Sequence, residues 1–312
     1  MQRQTLLKII QLVCIGVFIF AAVSIIVAIR QYEKADDIYQ NLQQNYVETI
    51  PQTPTSDGNS DPTDPTDPTR PTDPTDPAEP TAPTKPTDPT VSTDPTLPTD
   101  PTTPTVPDET VPTEPTSPPV SDKYTTPITV DFDTLLKLND DIVGWLYSPG
   151  TVINYPVAQG ENNAKYLHAD IYGNYLKSGT LFVDFRNKKI GEDNNYLIYG
   201  HNMENGSMFG SLISYNSYYY YADHPVIYYL TPEQNYAIEL YIGAVVKSNA
   251  NIYLPTATAS EIRAILAELK EKTTFVSDIT INENDTFVTL STCSYEFADA
   301  RYVVIGRVIP IK

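Results

Sequence analysis

The sequence predicts an all-β domain with peripheral helices, folded as a closed barrel and preceded by a membrane helix and an extended stalk. Three observations predict this organisation. Residues 9–29 carry no charged side chain, residues 51–120 repeat the tripeptide Asp-Pro-Thr, and residues 121–312 contain many short strand-like runs. Numerous short strands separated by turn residues are typical of a barrel rather than of an open sheet.

The first segment is long enough to cross a bilayer. Residues 9–29 would span about 30 Å as a helix, at about 1.5 Å per residue. Arg3 and Lys8 precede the span and Arg30 and Lys34 follow it, and with the free amine this weakly favours a cytoplasmic amino terminus, residues 1–8. A cleaved signal peptide is the alternative, but the run is long and no small-x-small site follows it cleanly. We therefore expect an uncleaved single-pass anchor, followed by a juxtamembrane segment at residues 30–50.

The second segment, residues 51–120, has the composition of a disordered stalk. It holds 21 of the 28 prolines, and its 13 acidic residues outnumber its 2 basic ones. Proline at this density cannot sustain helix or strand hydrogen bonds, so we expect an extended polyproline II chain. At about 3.1 Å per residue such a stalk reaches at most on the order of 200 Å. The sequence leaves open whether its threonines carry glycans.

The remaining residues, 121–312, are expected to form one domain with a single core. Helical spacing of apolar residues at 260–272 predicts a helix that Ser260 or Thr258 caps, and shorter helices are expected at 131–139 and 208–217. The strand-like runs are 144–147, 152–157, 180–184, 196–199, 226–230, 236–247, 286–292 and 300–310.

The last two strands carry the chemistry that is easiest to interpret. Cys293 ends a β-branched run, and Arg301 begins the next strand after a short polar loop. If the strands pair antiparallel, Arg301 lies close to Cys293, whereas Arg307 lies about 20 Å further along. By strand alternation, Cys293 shares a face with Ser291 and Thr289, while Leu290 points the other way. This arrangement indicates a nucleophile on a partly polar groove floor with a cation beside it.

A thiol attacks as the thiolate, which usually needs a histidine nearby. His201 follows the apolar strand 196–199 and Gly200, in a loop position typical of catalytic residues. His168 and His224 lack such framing, and we interpret them as ordinary surface or hydrogen-bonding histidines. We therefore expect Cys293 and His201 to form a catalytic pair, neutral at rest or partly an ion pair.

These motifs resemble the sortases, the cysteine transpeptidases of Gram-positive cell surfaces. The resemblance rests on Thr-Leu-Ser-Thr-Cys at 289–293, Arg301, and Tyr-Gly-His-Asn at 199–202, and it extends over residues 131–312. Gly-Trp-Leu at 144–146, Asn-Tyr-Pro-Val at 154–157, Gly-Thr-Leu-Phe-Val-Asp at 179–184 and the helix at 260–272 are similar to the class B branch. The resemblance implies the eight-stranded sortase barrel with its active groove at one side.

The resemblance also implies a two-step acyl transfer. Cys293 would attack a backbone carbonyl in the sorting motif of a surface protein, and His201 would protonate the departing amine and later deprotonate the acceptor amine. Arg301 would bind the substrate backbone or the oxyanion. The acceptor would be the amine of a lipid-linked cell-wall precursor, so the domain would work outside the cell within the wall. Candidate substrate-binding residues are Ser291, Thr292, Asn202 and Glu296.

Three other functions remain open. A cysteine protease or amidase would share the pair but release its product with water. A sortase that polymerises pilins would use a lysine as acceptor. A wall-spanning adhesin that is not an enzyme would not need Cys293.

Composition argues against other chemistries. We expect no cofactor and no metal, because cysteine and histidine lack zinc-binding spacing and no glycine-rich phosphate loop is present. Residues 121–312 carry 22 acidic against 14 basic side chains, which disfavours nucleic acid as a partner.

Overall fold

The computed structural model describes residues 2–51 and 120–312, with side chains from residue 11 onward. The expected stalk therefore lies almost wholly outside the described residues. The helices are α1 (Gln2–Tyr46), α2 (Phe132–Leu138), α3 (Tyr218–Asp223) and α4 (Ala259–Lys270), with short 3-10 helices at Gly210–Asn216 and Asn251–Tyr253. The strands are β1 (Val47–Thr49), β2 (Ile128–Val130), β3 (Ile142–Tyr147), β4 (Asn154–Ala158), β5 (Leu181–Val183), β6 (Asn195–Tyr199), β7 (Val226–Leu230), β8 (Asn235–Lys247), β9 (Phe287–Cys293) and β10 (Ala300–Ile311).

Eight strands close into the predicted barrel, which confirms the fold class. Their order is β10, β8, β7, β3, β4, β5, β6 and β9, and β9 pairs with β10 to complete the ring. Two of the pairings, β4 with β5 and β6 with β9, are parallel, and the others are antiparallel. The parallel pair β6 and β9 matters for function, because it brings the carboxyl ends of two strands to the same edge.

Alternation along β9 separates the two sides of the barrel wall, as the sequence predicted. Val288 and Leu290 are fully buried in the main core, which also contains Trp145. Phe287 packs in a second apolar cluster with residues of α4. Because successive side chains point to opposite faces, Ser291 and Cys293 lie on the α4 side of the wall.

Helix α4 begins where its sequence predicted. Thr258 accepts a hydrogen bond from the backbone N–H of Glu261, and the Glu261 carboxylate accepts one from the Thr258 backbone N–H, so the two form a capping box. Ile262, Leu266 and Leu269 then bury one face of the helix against β8 and β10. The helix thus covers the outer side of the wall that carries Cys293.

Helix α1 extends well beyond the apolar span and joins the core of the barrel domain. Ala35, Tyr39 and Leu42 recur at helical spacing and are buried in the same cluster as the barrel interior. After α1, strand β1 pairs antiparallel with β2. Residues 35–50, which the sequence analysis expected to lie in a juxtamembrane segment outside the domain, are therefore part of it. The chain leaves this domain after residue 51 and re-enters it at residue 120.

Candidate active site

A cavity of ≈ 360 Å³ lies where β6 and β9 end, on the side of the barrel that the 3-10 helix Asn251–Tyr253 flanks. It brings together three of the residues predicted from sequence as catalytic, Cys293, His201 and Arg301. The other lining residues are Asn163, Leu167, Phe182, Asp184, Arg186, Tyr199, Gly200, Ser248, Tyr253, Ser291 and Thr292.

Strand register explains why Cys293 and His201 meet. Strands β6 and β9 run parallel, with Tyr199 opposite Ser291. His201 and Cys293 each follow two residues later, so both leave the sheet at the same level. Residues 92 positions apart in sequence are thereby placed at one edge of the barrel.

Register also explains the position of Arg301. In the antiparallel pairing of β9 with β10, Arg301 lies directly opposite Cys293, whereas Arg307 lies opposite Phe287 at the far end of β9. The Arg307 guanidinium bonds the buried carboxylate of Glu239 instead, with Nε 3.1 Å from Oε2. Of these two arginines, only Arg301 lines the cavity.

His201 is held by the loop that precedes β5. Its Nε2 lies 2.7 Å from the backbone oxygen of Leu167. Because a carbonyl oxygen can only accept, Nε2 carries the hydrogen, and in the neutral imidazole Nδ1 is then the acceptor. The Leu167 bond therefore selects the tautomer whose free nitrogen can take up a proton.

Burial lowers the pKa of His201, because desolvation disfavours the imidazolium form. The Leu167 carbonyl opposes this effect, while the charges of His168 and Lys177 add to it. The imidazole ring of His168 stacks on His201 with centroids 5.1 Å apart and an interplanar angle of 24°. His201 is thus kept neutral at the pH where an unperturbed histidine begins to gain its proton.

The four candidate substrate-binding residues occupy different positions. Ser291 lines the cavity and shares a 2.8 Å hydrogen bond with the Tyr253 hydroxyl. Thr292 lines it as well, but its hydroxyl donates to the Gly200 carbonyl at 2.9 Å. Asn202 and Glu296 do not line it. The Asn202 amide donates to the Cys293 carbonyl at 2.9 Å, and Glu296 accepts a hydrogen bond from Ser294.

Thr292 and Asn202 therefore form two ties between the segments that carry the pair. One tie joins β9 to the residue before His201, and the other joins the residue after His201 to Cys293 itself. Both bonds use the side chain to satisfy a backbone carbonyl at a strand end. They fix the relative position of thiol and imidazole.

Tyr253 is a residue of the cavity that sequence reasoning missed. Burial raises its pKa to about 12, while the bond with Ser291 and the charge of Arg301 act in the opposite direction. It comes from a 3-10 helix of three residues, Asn251–Tyr253, which has no periodicity to reveal it. Only the packing of that turn against β9 shows that its hydroxyl lies close to the predicted site.

A buried polar cluster forms the opposite wall. Arg186 holds Asp184 through two bonds of 2.8 Å, and Asn163 and Tyr199 each donate to the same carboxylate at 3.0 Å. Burial would raise the pKa of Asp184, but these hydrogen bonds outweigh it and hold that pKa below its usual value. The cluster is a fixed anion with all its partners in place, and it ties the 163 loop to β5 and β6.

The other two histidines differ from each other. His224 bonds the Pro149 backbone oxygen through Nδ1 at 3.1 Å, as expected of an ordinary hydrogen-bonding histidine. His168 was interpreted in the same way, but it stacks on His201. Its loop carries no strand or motif signal, so nothing in the sequence linked these two rings.

The comparisons with known proteins agree with this site. A family model described as a sortase domain matches residues 146–309. Sortase B of Staphylococcus aureus (strain NCTC 8325 / PS 47) is 31% identical over 194 residues, which cover 61% of this chain and 79% of that protein. Sortase B of Listeria monocytogenes serovar 1/2a is 34% identical over 182 residues, covering 56% and 72%.

Solved structures give the same result. The S. aureus sortase B–substrate complex superposes with a TM-score of 0.55 at 31% identity, covering 58% of this chain and 85% of that one. Clostridium perfringens sortase B superposes with a TM-score of 0.52 at 29% identity, covering 57% and 98%. With the barrel and the matched family model, these relatives identify the chain as a member of the sortase family of cysteine transpeptidases, in its class B branch.

Proposed function

We propose that this sortase is membrane-anchored, cleaves a sorting motif in surface proteins and transfers the acyl fragment to an amine of a cell-wall precursor. The observation that carries this proposal is the register of β9. Cys293 lies opposite Arg301 on β10 and level with His201 after β6, in one cavity. This is the arrangement that a thiol nucleophile, a general acid/base and an oxyanion-stabilising cation require.

In the first step, the Cys293 sulfur attacks the scissile carbonyl carbon of the substrate. The neutral His201 takes the thiol proton at Nδ1 and then delivers it to the departing amine, which leaves a thioester on Cys293. The lowered pKa of His201 favours the release of that proton. The Leu167 carbonyl keeps Nδ1 as the reacting nitrogen throughout.

In the second step, an acceptor amine attacks the thioester and His201 removes its proton. Arg301 faces the carbonyl carbon during both steps and stabilises the oxyanion that forms on each attack. Two solved S. aureus sortase B structures are described, one as a substrate complex and the other as a complex with a peptide of three glycines. They support a sorting-motif donor and a peptide amine acceptor for this chain.

We assign Ser291, with Tyr253, to the floor of the substrate groove, because both line the cavity beside Cys293. Thr292 and Asn202 act as positioning residues through their bonds to Gly200 and Cys293. Glu296, in the loop between β9 and β10, is assigned to the border of the groove.

The anchor is assigned to α1. Within the described residues, α1 holds a span that is long and apolar enough to cross a membrane, and none of its side chains in that window is buried in the protein. A signal sequence passes the same test. The unbroken helix into residues 35–46, which pack on the barrel, favours a retained anchor with the domain outside the cell.

The test uses the full chain in detergent with a panel of quenched peptides that differ in sorting motif. We expect cleavage by the wild type and none by Cys293→Ala. Mass spectrometry should detect a thioester on Cys293, and products joined to an added peptide amine. If hydrolysis persists undiminished when a good amine is abundant, the transpeptidase assignment is wrong and a protease remains. Preference for a lysine side chain over a peptide amine would instead indicate a pilin polymerase.

A further inference from the structure

The membrane helix and the catalytic domain are joined without a break. Helix α1 runs from Gln2 to Tyr46, so the apolar span and the segment packed on the barrel form one helix. Gln43, near its end, donates to the backbone oxygen of Asn154 in β4 at 2.7 Å. The position of the barrel relative to the span is therefore set by α1 and does not depend on residues 52–119.

The loop between β4 and β5 links α1 to the active site. On the side of α1, Lys34 Nζ donates to the Tyr175 backbone oxygen at 3.0 Å, and the Tyr39 hydroxyl donates to the Gly179 backbone oxygen. Lys177 Nζ lies 5.7 Å from the ring centroid of Tyr32. Three contacts from successive turns of α1 thus hold residues 175–179 against the helix.

The same loop contacts the catalytic histidine. Leu167 holds His201 Nε2, and His168 stacks on the His201 ring. The His168 ring lies in turn 6.3 Å, centroid to centroid, from the ring of Tyr175. A short series of contacts therefore leads from His201 through His168 and Tyr175 to Lys34.

These contacts fix how far the active site can lie from the bilayer. Lys34 is five residues beyond Ile29, the last residue of the apolar span, or about 7.5 Å along the helix. Two ring-to-ring steps of 5.1 and 6.3 Å separate His201 from Tyr175, whose backbone contacts Lys34. His201 therefore lies within about 30 Å of the end of the span. A polyproline spacer of the length outside the described residues would reach up to about 200 Å.

We propose that α1 holds the catalytic cavity at the membrane surface, with residues 169–178 facing the lipid headgroups, and that residues 52–119 are an insertion into the catalytic domain rather than a spacer beneath it. This inference rests on the proposed anchoring through α1. Its consequence is that donor and acceptor react close to the bilayer, so an acceptor still tethered to lipid is favoured.

The surface near the span suits a bilayer interface. Tyr175 is 65% exposed although it lies beside the catalytic loop, and Arg30 and Lys34 are exposed on α1. Tyrosine and basic side chains are enriched at the headgroup level. Glu33, Asp36 and Asp37 offset the cations on α1, so the anchor rather than charge determines the placement, and neutral lipids should suffice.

Energy transfer from the active site to the bilayer tests this directly. The full chain with Cys14→Ala has Cys293 as its one remaining thiol. It is reconstituted in phosphatidylcholine vesicles whose headgroups carry an acceptor dye, and a membrane-impermeant maleimide donor then labels only outward-facing Cys293. We expect strong transfer, unchanged when residues 53–117 are deleted. We expect weaker transfer when a flexible Gly/Ser segment is inserted between Gln31 and Tyr32.

The opposite pattern overturns the inference. Weak transfer in the full chain that rises on deletion of residues 53–117 would show that this segment is a spacer. Transfer that is insensitive to the insertion would show that α1 does not set the distance. Failure of the chain to float with the vesicles would remove the anchor and the inference together.

Peptide cleavage in the same vesicles before labelling separates this inference from the proposed function. Active vesicles with weak transfer would overturn the membrane placement and leave the transpeptidase intact. Strong transfer in vesicles that cleave no peptide of the panel would support the placement and count against the proposed function.

Discussion

His201 is shaped by its immediate neighbours more than by its place in the sequence. One carbonyl fixes its tautomer, and burial with two nearby cationic groups lowers its pKa. The consequence for the proposed chemistry is a base that is already neutral when substrate arrives. The stacked ring of His168 is the part of this environment that a single substitution can remove.

We predict that His168→Phe raises the pKa of His201. Phenylalanine keeps a ring against His201 but removes a charge that disfavours the imidazolium, so protonation of His201 becomes easier. The measurement is the NMR titration of the imidazole in a Cys293→Ala background. The wild-type midpoint should lie below about 6.5, the value of an unperturbed histidine.

His224→Phe is the matched control. That ring packs on Tyr220 and bonds Pro149, away from the cavity, so its removal should leave the His201 titration where it was. A midpoint that does not move in His168→Phe would show that the stack has no electrostatic effect on His201.

At the scale of elements, the end of β6 is positioned by tight packing at Gly200. A Cβ added there would lie 2.7 Å from Phe209 Cδ2 and closer still to Leu181, and both residues are fully buried. The neighbours cannot move aside without disturbing the core. The residue after Gly200 is His201, so this packing also positions the imidazole.

We therefore predict that Gly200→Ala lowers the free energy of unfolding by about 1–3 kcal/mol, as overpacking of a core does. It should reduce peptide cleavage more than stability alone explains, because His201 shifts with its strand end. Gly160→Ala is the control, since its new Cβ would meet only the flexible side chain of Lys165. Unchanged cleavage in folded Gly200→Ala would contradict this account of how β6 positions His201.

The packed part of α1 makes a second prediction at this scale. Leu42 is fully buried against the barrel, so Leu42→Ala should destabilise the barrel by about 2–5 kcal/mol. The single tryptophan, Trp145, is buried in β3 and reports barrel unfolding by fluorescence in denaturant. Gln44→Ala, at an exposed position of the same helix, should change stability by less than about 0.5 kcal/mol. Equal stability of the two variants would place α1 outside the domain.

At the scale of the whole molecule, the connection between β1 and β2 is a long loop that folding must close. Deleting residues 53–117 shortens it roughly sixfold, which should raise the free energy of unfolding by about 1.5 kcal/mol by reducing the closure entropy. Trp145 fluorescence measures the change. No gain in stability would show that β1 and α1 are not held by the domain when it folds.

The barrel could be predicted because its strands carry a strong local signal. The eight runs recognised in the sequence correspond to β3 through β10, and α4 begins at one of its two predicted caps. The hairpin of β9 and β10 identified Arg301 rather than Arg307, since pairing across a short loop is a local property. In contrast, Tyr253 and His168 come from irregular segments, where no periodicity marks a side chain that packing brings to the site.

The sequence also contained a signal that was not used. Ala35, Tyr39 and Leu42 recur at helical spacing among charged residues, as expected for a helix with one buried face. The proline-rich segment that follows made residues 30–50 look like part of a linker. Amphipathic spacing at residues 30–50 was a better guide to packing than the composition of the neighbouring segment.

By itself, the sequence determined the barrel, the apolar span and the identity of the thiol, imidazole and guanidinium, because each depends on residue type and short-range periodicity. Only the tertiary structure decided the partners of those groups. The tautomer of His201, the ring stacked on it, the ties through Thr292 and Asn202 and the packing of α1 all join residues far apart in the chain. Such contacts are set by strand register and by packing of the whole domain, which no local pattern records.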